Sequence, residues 1–250
     1  MKKTLFILLL LIINLTAYSQ KHSQLQATYL FNNFDLEQKY KVQLKINGNE
    51  SYSKFTDILN SKDSLYVDDT EVINFKKEAK DSIKNECYVN SISKKIIFRD
   101  FIFVENTFNP VIVEENIPEF NWQLTDGVKK VNNFTCNSAK LKFRGRNYIV
   151  WYTLDIPTNF GPWKFYGLPG LITEITSDDN KISFILKEIK TQTNFEIKTP
   201  SNGKNITLKE YITFKNNAVE EYIKNLKSKL PRGAVVNYKS DDYNIEKTFE

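Results

Sequence analysis

Period-two alternation of apolar and polar residues dominates the chain, the signature of half-buried strands. Residues 40–46 alternate strictly, Asn47-Gly48 follows, and residues 50–55 return. This predicts a β-hairpin closed by a type I′ turn, because Asn and Gly both tolerate positive φ. A short run at 27–31 has strand composition just before it, and further strands are expected at 87–91 and 95–104. Residues 60–86 are charged and aperiodic, and read as a loop with a helical turn near Phe75. Residues 121–124 place an apolar pair ahead of an Asp126-Gly127 turn. A second hairpin runs from 136–143 through Arg144-Gly145-Arg146 to 147–154, and a third from 171–176 through Ser177 to Asn180 and on to 181–189. The 147–154 strand is apolar on both faces, which suits the middle of a sheet.

Past Asn202-Gly203 the period changes. Thr207-x-x-Glu210 is a capping box, Val219, Tyr222, Ile223 and Leu226 recur at helical spacing, and Pro231 stops the run. A helix is expected over about 208–230, with a polar tail at 241–250 that should fray. Thirteen Tyr and 18 Phe against one Met and eight Gly favour sheet over helix. The predicted fold is therefore mainly β, a strongly bent antiparallel sheet, half-barrel or bowl-like, with a C-terminal helix.

The most constrained stretch is 160–172, which holds Gly161-Pro162 and Gly167-Leu168-Pro169-Gly170 interleaved with Trp163, Phe165 and Tyr166. Gly161, Pro162, Gly167, Pro169 and Gly170 read as structural turn residues. Pro169-Gly170 fits the centre of a type II turn, with Gly170 taking the positive φ.

The amino terminus changes the compartment. Lys2-Lys3, an apolar run from Leu5 to Leu15 and small residues at Ala17 and Ser19 form a signal peptide over residues 1–19, cleaved after Ser19. The run is shorter than a spanning helix needs, and no second one follows, so no membrane span is expected after its removal. Export to the periplasm or beyond makes Cys87 and Cys136 an expected disulfide, closing a loop of about fifty residues and worth about 3–4 kcal/mol. Net charge is +5, two of it in the leader, too weak and too dispersed to indicate a nucleic-acid partner. Two cysteines and one histidine do not make a metal set, and no cofactor is expected.

The run Phe143-x-Gly145-Arg146, Trp151-Tyr152, Ile156-Pro157, Gly161-Pro162 and Gly167-Leu168-Pro169-Gly170-Leu171-Ile172 resembles the GLPGLI family of exported Bacteroidota proteins. The specific part of the resemblance is about 134–175. It implies one β-rich domain over 20–250, in organisms rich in outer-membrane receptors, and it carries over no catalytic residues because the family has no established activity.

Candidate chemistry is sparse. The only histidine, His22, lies three residues into the mature chain, which excludes Ser-His and Cys-His nucleophile pairs. Asp155, Glu174, Asp178 and Asp179 surround the central stretch and leave a carboxylate-dependent hydrolase, acting on an envelope or glycan substrate, as the alternative. Trp151, Trp163 and Tyr166 beside Arg144 and Arg146 are the candidate ligand-binding residues, able to stack a ring while guanidinium groups hold polar atoms. The favoured reading is an exported, non-catalytic envelope protein that binds a partner, such as an outer-membrane receptor, or a glycan or apolar ligand. An apolar-ligand carrier, or a β-bowl module like those attached to secreted glycan-processing enzymes, is compatible at the level of fold.

Overall fold

The computed structural model describes residues 24–34, 38–58, 64–67, 73–76, 83–104, 107–191, 194–228, 230 and 245–249. The expected signal peptide at 1–19, His22 and Pro231 lie outside these. Among the described residues, fourteen strands and one helix follow in chain order: β1 (Leu25–Asn33), β2 (Gln38–Asn47), β3 (Glu50–Asp57), β4 (Ser64–Val67), β5 (Ile73–Lys76), β6 (Glu86–Asn90), β7 (Lys95–Val104), β8 (Thr107–Asn116), β9 (Gln123–Val131), β10 (Phe134–Phe143), β11 (Arg146–Thr153), β12 (Leu171–Ser177), β13 (Ile182–Thr191), β14 (Lys204–Thr207) and α1 (Leu208–Lys227).

Twelve strands form one open sheet in the order β14-β8-β7-β6-β3-β2-β1-β13-β12-β11-β10-β9, while β4 and β5 pair separately. All ladders are antiparallel except β14 with β8. The sheet is not closed into a barrel, since β14 and β9 are edges that do not meet. Every second residue of β1, β2 and β11 points to one core, including Ala27, Tyr29, Val42, Leu44, Tyr148 and Val150. Phe31 and Phe55 pack there on Phe184, and the buried Tyr29 hydroxyl donates to the Ile172 carbonyl at 2.7 Å.

The capping box forms as read: the Thr207 amide donates to the Glu210 carboxylate at 2.7 Å, and the Glu210 amide to Thr207 Oγ1 at 3.1 Å. α1 then lies against β7, its buried Tyr211 ring 5.2 Å from Phe98 and its hydroxyl bonded to Asp100. Among the described residues no helix is long and apolar enough to cross a membrane.

Four local expectations change. The first hairpin pairs Asn47 with Glu50, so its loop is Gly48-Asn49 with positive φ at Gly48 alone. That is the pattern of a type II′ connection, not type I′. Asp126-Gly127 is not a turn but a bulge inside β9, where the register shifts and a glycine Cβ would lie 2.3 Å from Ser138 Oγ. Phe75 lies in β5, a strand and not a helical turn. Gly170 is not at positive φ, so Pro169-Gly170 is no type II turn; its constraint is steric, with a Cβ 2.0 Å from the Thr153 carbonyl oxygen.

The expected disulfide is absent. Cys87 on β6 and Cys136 on β10 are both free and buried, seven strands apart in the sheet order. Each thiol is already accommodated: Thr173 Oγ1 donates to Cys136 Sγ at 3.3 Å, and Cys87 belongs to the apolar core. Burial pushes the Cys87 thiol well above its ordinary pKa, against the pull of the nearby Lys164 ammonium.

Candidate functional site

The site grows from two turns. Arg144 and Gly145 have φ of 48° and 76°, which makes the β10–β11 connection a type I′ turn and aims the Arg144 side chain inward. Between β11 and β12 the chain folds into a small loop clamped by a Phe160–Tyr166 bridge. The Gly161 amide donates to the Phe165 carbonyl at 2.8 Å, and the Phe165 amide to the Pro162 carbonyl at 3.3 Å. Trp163 sits at the tip with φ 57°, a conformation bulky residues rarely adopt, and its amide donates to Ser53 Oγ at 3.0 Å. This geometry drives Lys164 into the core.

Lys164 is wholly buried and lies 2.7 Å from Glu115 and 3.0 Å from Glu246. Arg144 reaches the same two carboxylates, Glu115 at 2.5 Å and Glu246 at 3.4 Å. Two cations and two anions therefore share one desolvated site, flanked by Phe98, whose ring centre is 3.6 Å from Lys164 Nζ, and by Phe249, 4.9 Å from the Arg144 guanidinium. Burial alone would push the Lys164 pKa down, but the two carboxylates outweigh it and hold the ammonium charged. The Glu246 carboxyl is pushed up by burial and by Glu115, with Lys164 and Arg144 offsetting only part of this.

The five candidate ligand residues do not form one surface. Trp163 is core, edge-on to Phe143 and Phe165. Arg144 is inside the ion cluster, and the buried Arg146 pairs with Asp179 at 2.6 Å. Tyr166 is half-buried against Phe160, its carbonyl accepting the Trp122 indole N–H at 3.0 Å. Trp151 is on the opposite, outer face, half-buried beneath Lys129, whose Nζ is 4.3 Å from the ring centre.

The nominated acids are also engaged: Glu174 with Lys129 at 2.8 Å, Asp178 with the Asn147 side-chain Nδ2 at 2.9 Å, and Asp179 with Arg146. Asp155 is exposed beyond the end of β11. A cleft of about 270 Å³ lies on the outer face between Lys45, Tyr52, Glu86, Lys198 and Asn202, away from all of these.

Sequence reasoning missed Lys164, Glu115 and Glu246. The available signal was one charge inside the apolar run Trp163-Lys164-Phe165, and the apolar flanks Ile245 and Phe249 of a segment expected to fray. Of that segment, Ile245 and Phe249 pack against the core instead.

A family described as "Protein of unknown function (Porph_ging)" matches residues 144–174, the span from the type I′ turn into β12 that carries Arg144, Lys164 and the 167–172 hexapeptide. No curated protein sequence matches the chain. Among solved structures, two crystal forms of PNGF-II are similar, with TM-scores of 0.53 and 0.51 and 12% identity in each, covering 77% of this chain. They share its β-rich fold. The match takes in 32% and 33% of the PNGF-II chain, so this chain spans about a third of that protein's length.

Proposed function

We propose that the chain is an exported, non-catalytic β-module of the GLPGLI type that engages a partner protein at the cell envelope. Export rests on the Lys2-Lys3, apolar-run and Ala17/Ser19 pattern. The GLPGLI assignment is supported by the hexapeptide at 167–172, inside the span matched by a family of unknown function. Likeness to part of a longer chain supports a modular fold. A non-catalytic role is supported by the engagement of Glu174, Asp178 and Asp179 in structural pairs.

One observation carries partner binding. Leu124 and Val128 are each 64% exposed on the edge strand β9. By register they share the inner face: Leu124 lies beside Ala139 and Val150, and Val128 is in the row of Asn137 and Tyr152. Among the described residues the core face thus runs out to an edge whose outer backbone groups have no neighbouring strand. A photo-crosslinking residue at Val128, in a host that exports the chain, should give a discrete protein adduct that the same residue at Lys142 does not. Lack of any Val128-specific adduct, or retention of an uncleaved chain in the cytoplasm, would count against this function.

A further inference from the structure

Residues 245–249 form no helix and no strand, yet they are held as a bound peptide is held. The Ile245 carbonyl accepts the Tyr148 hydroxyl at 3.1 Å. The Lys247 and Thr248 amides both donate to the Arg144 carbonyl, at 2.8 and 3.3 Å. Both Glu246 oxygens accept from Lys164 at 3.0 Å. Phe249 meets the Tyr211 ring edge-on at 5.7 Å, beneath the Arg144 guanidinium.

The receiving site is incomplete without this segment. Arg144 and Lys164 face Glu115 on β8, and Glu115 alone leaves one positive charge unmatched in a site where all three side chains are at most 7% exposed. A buried cation left unpaired is strongly unfavourable, so a second carboxylate stabilises the site with both cations charged. The chemistry fixes the spacing too: an apolar residue, then the carboxylate, then an aromatic ring three residues on. Arg144, Tyr148 and Lys164 lie within the family-matched span, whereas Glu115 and Glu246 both lie outside it.

We propose that Arg144 and Lys164 form a binding site for an acidic extended peptide of the pattern apolar–Glu–x–x–aromatic. Residues 245–249 fill it in cis, and a matching segment of a partner protein takes their place. The site is separate from the exposed β9 edge and stands or falls independently of it. Because the cis segment competes at an effective concentration of about millimolar, a free peptide binds the intact chain only weakly.

The test uses a fluorescently labelled peptide with the sequence of residues 244–250, titrated by anisotropy into the full chain. A chain carrying Glu246→Ala and Phe249→Ala should bind it at least about tenfold more tightly than the unsubstituted chain. Adding Arg144→Ala, or replacing the peptide's first Glu by Gln, should remove most of that gain. A second measurement needs no substitution: millimolar peptide should speed hydrogen exchange of the Lys247 and Thr248 amides while β2 amides stay protected. If the doubly substituted chain melts cooperatively yet binds nothing, or binds the Gln peptide equally well, the proposal fails. Should that chain not fold, unchanged exchange at Lys247 and Thr248 under saturating peptide defeats it instead. Concentration-dependent dimers that trade these segments would overturn the partner-protein reading and assign the site to a second copy of the chain.

Discussion

Arg144 and Glu115 belong to turns and strands eight places apart in the sheet, yet their side chains meet at 2.5 Å. Eight intervals at about 4.8 Å would separate β11 from β8 by about 38 Å if the sheet were flat. The ion pair is therefore direct evidence of how tightly the sheet curls, and Lys164 and Glu246 join the same junction from the crossover loop and the 245–249 segment. Removing one partner of such a cluster leaves an uncompensated buried charge. Glu115→Gln should cost about 3–5 kcal/mol, whereas Glu115→Gln combined with Lys164→Met should cost less than the two changes summed. Urea unfolding of the four chains in the cycle measures this.

Trp163 was a candidate ligand residue on sequence grounds and is core in the structure, at 8% exposure. Trp163→Ala is expected to cost about 3–5 kcal/mol, through lost contacts with Phe143 and Phe165 and the cavity left behind. A lowered melting temperature, not a selective loss of binding in a fully stable protein, is the outcome that fits.

What the sequence disclosed was what short-range chemistry decides. The Arg144-Gly145 turn, the Ser177–Asn180 turn and the Thr207/Glu210 box each depend on residues within four positions of one another, and each formed. β14 was invisible because Lys204–Thr207 has one apolar residue and gains its ladder only from β8, about ninety positions earlier. The segment leading to it is pinned to the outer face by Arg99, whose Nε donates to the Asn202 carbonyl at 2.5 Å, a contact no local pattern announces. Dipeptides alone misled at Asp126-Gly127 and Pro169-Gly170, where neighbouring strands decide the backbone. The ion cluster was hidden for the same reason: its four members come from β8, a turn, a crossover and the far end of the described chain.

Gly170 and Gly167 should fail by different routes. Gly170→Ala drives a methyl into the Thr153 carbonyl, a contact that only backbone movement can relieve, and should cost about 3 kcal/mol or more. Gly167→Ala meets nothing closer than Trp122 Nε1 at 3.4 Å but must hold φ at 104°, a conformational cost of about 1–2 kcal/mol. Equal melting temperatures for the two variants would refute the distinction.

Both cysteines should behave as inert thiols. Alkylation of the native chain is expected to modify neither Cys87 nor Cys136, alkylation in denaturant to modify both, and the melting temperature to be unchanged by reductant. A mass consistent with a cross-link in purified exported protein would contradict the strand order.

Acid stability should show two opposing limbs. Burial would push Asp179 up, but the Ser177 hydroxyl, the Lys181 amide, Arg146 and Lys247 hold it below its ordinary 3.8. Burial likewise acts against Asp100, which Lys215, the Tyr211 hydroxyl and the Phe101 amide hold down. Between folded and ordinary values the unfolded chain binds more protons at these groups, so their stabilisation is present above about pH 3.8 and is lost as pH falls through the folded values. Glu246 has the opposite sign. Its carboxyl is raised above 4.5, so the folded chain takes up its proton first, and that group's contribution grows as pH falls toward 4.5. Asp179→Asn should therefore flatten the limb below pH 3.8, and Glu246→Gln should remove the upper, opposite slope. Denaturant midpoints measured from pH 7 to 2.5 separate the two, and an unchanged upper slope in Glu246→Gln would show that Glu246 titrates as an ordinary surface acid.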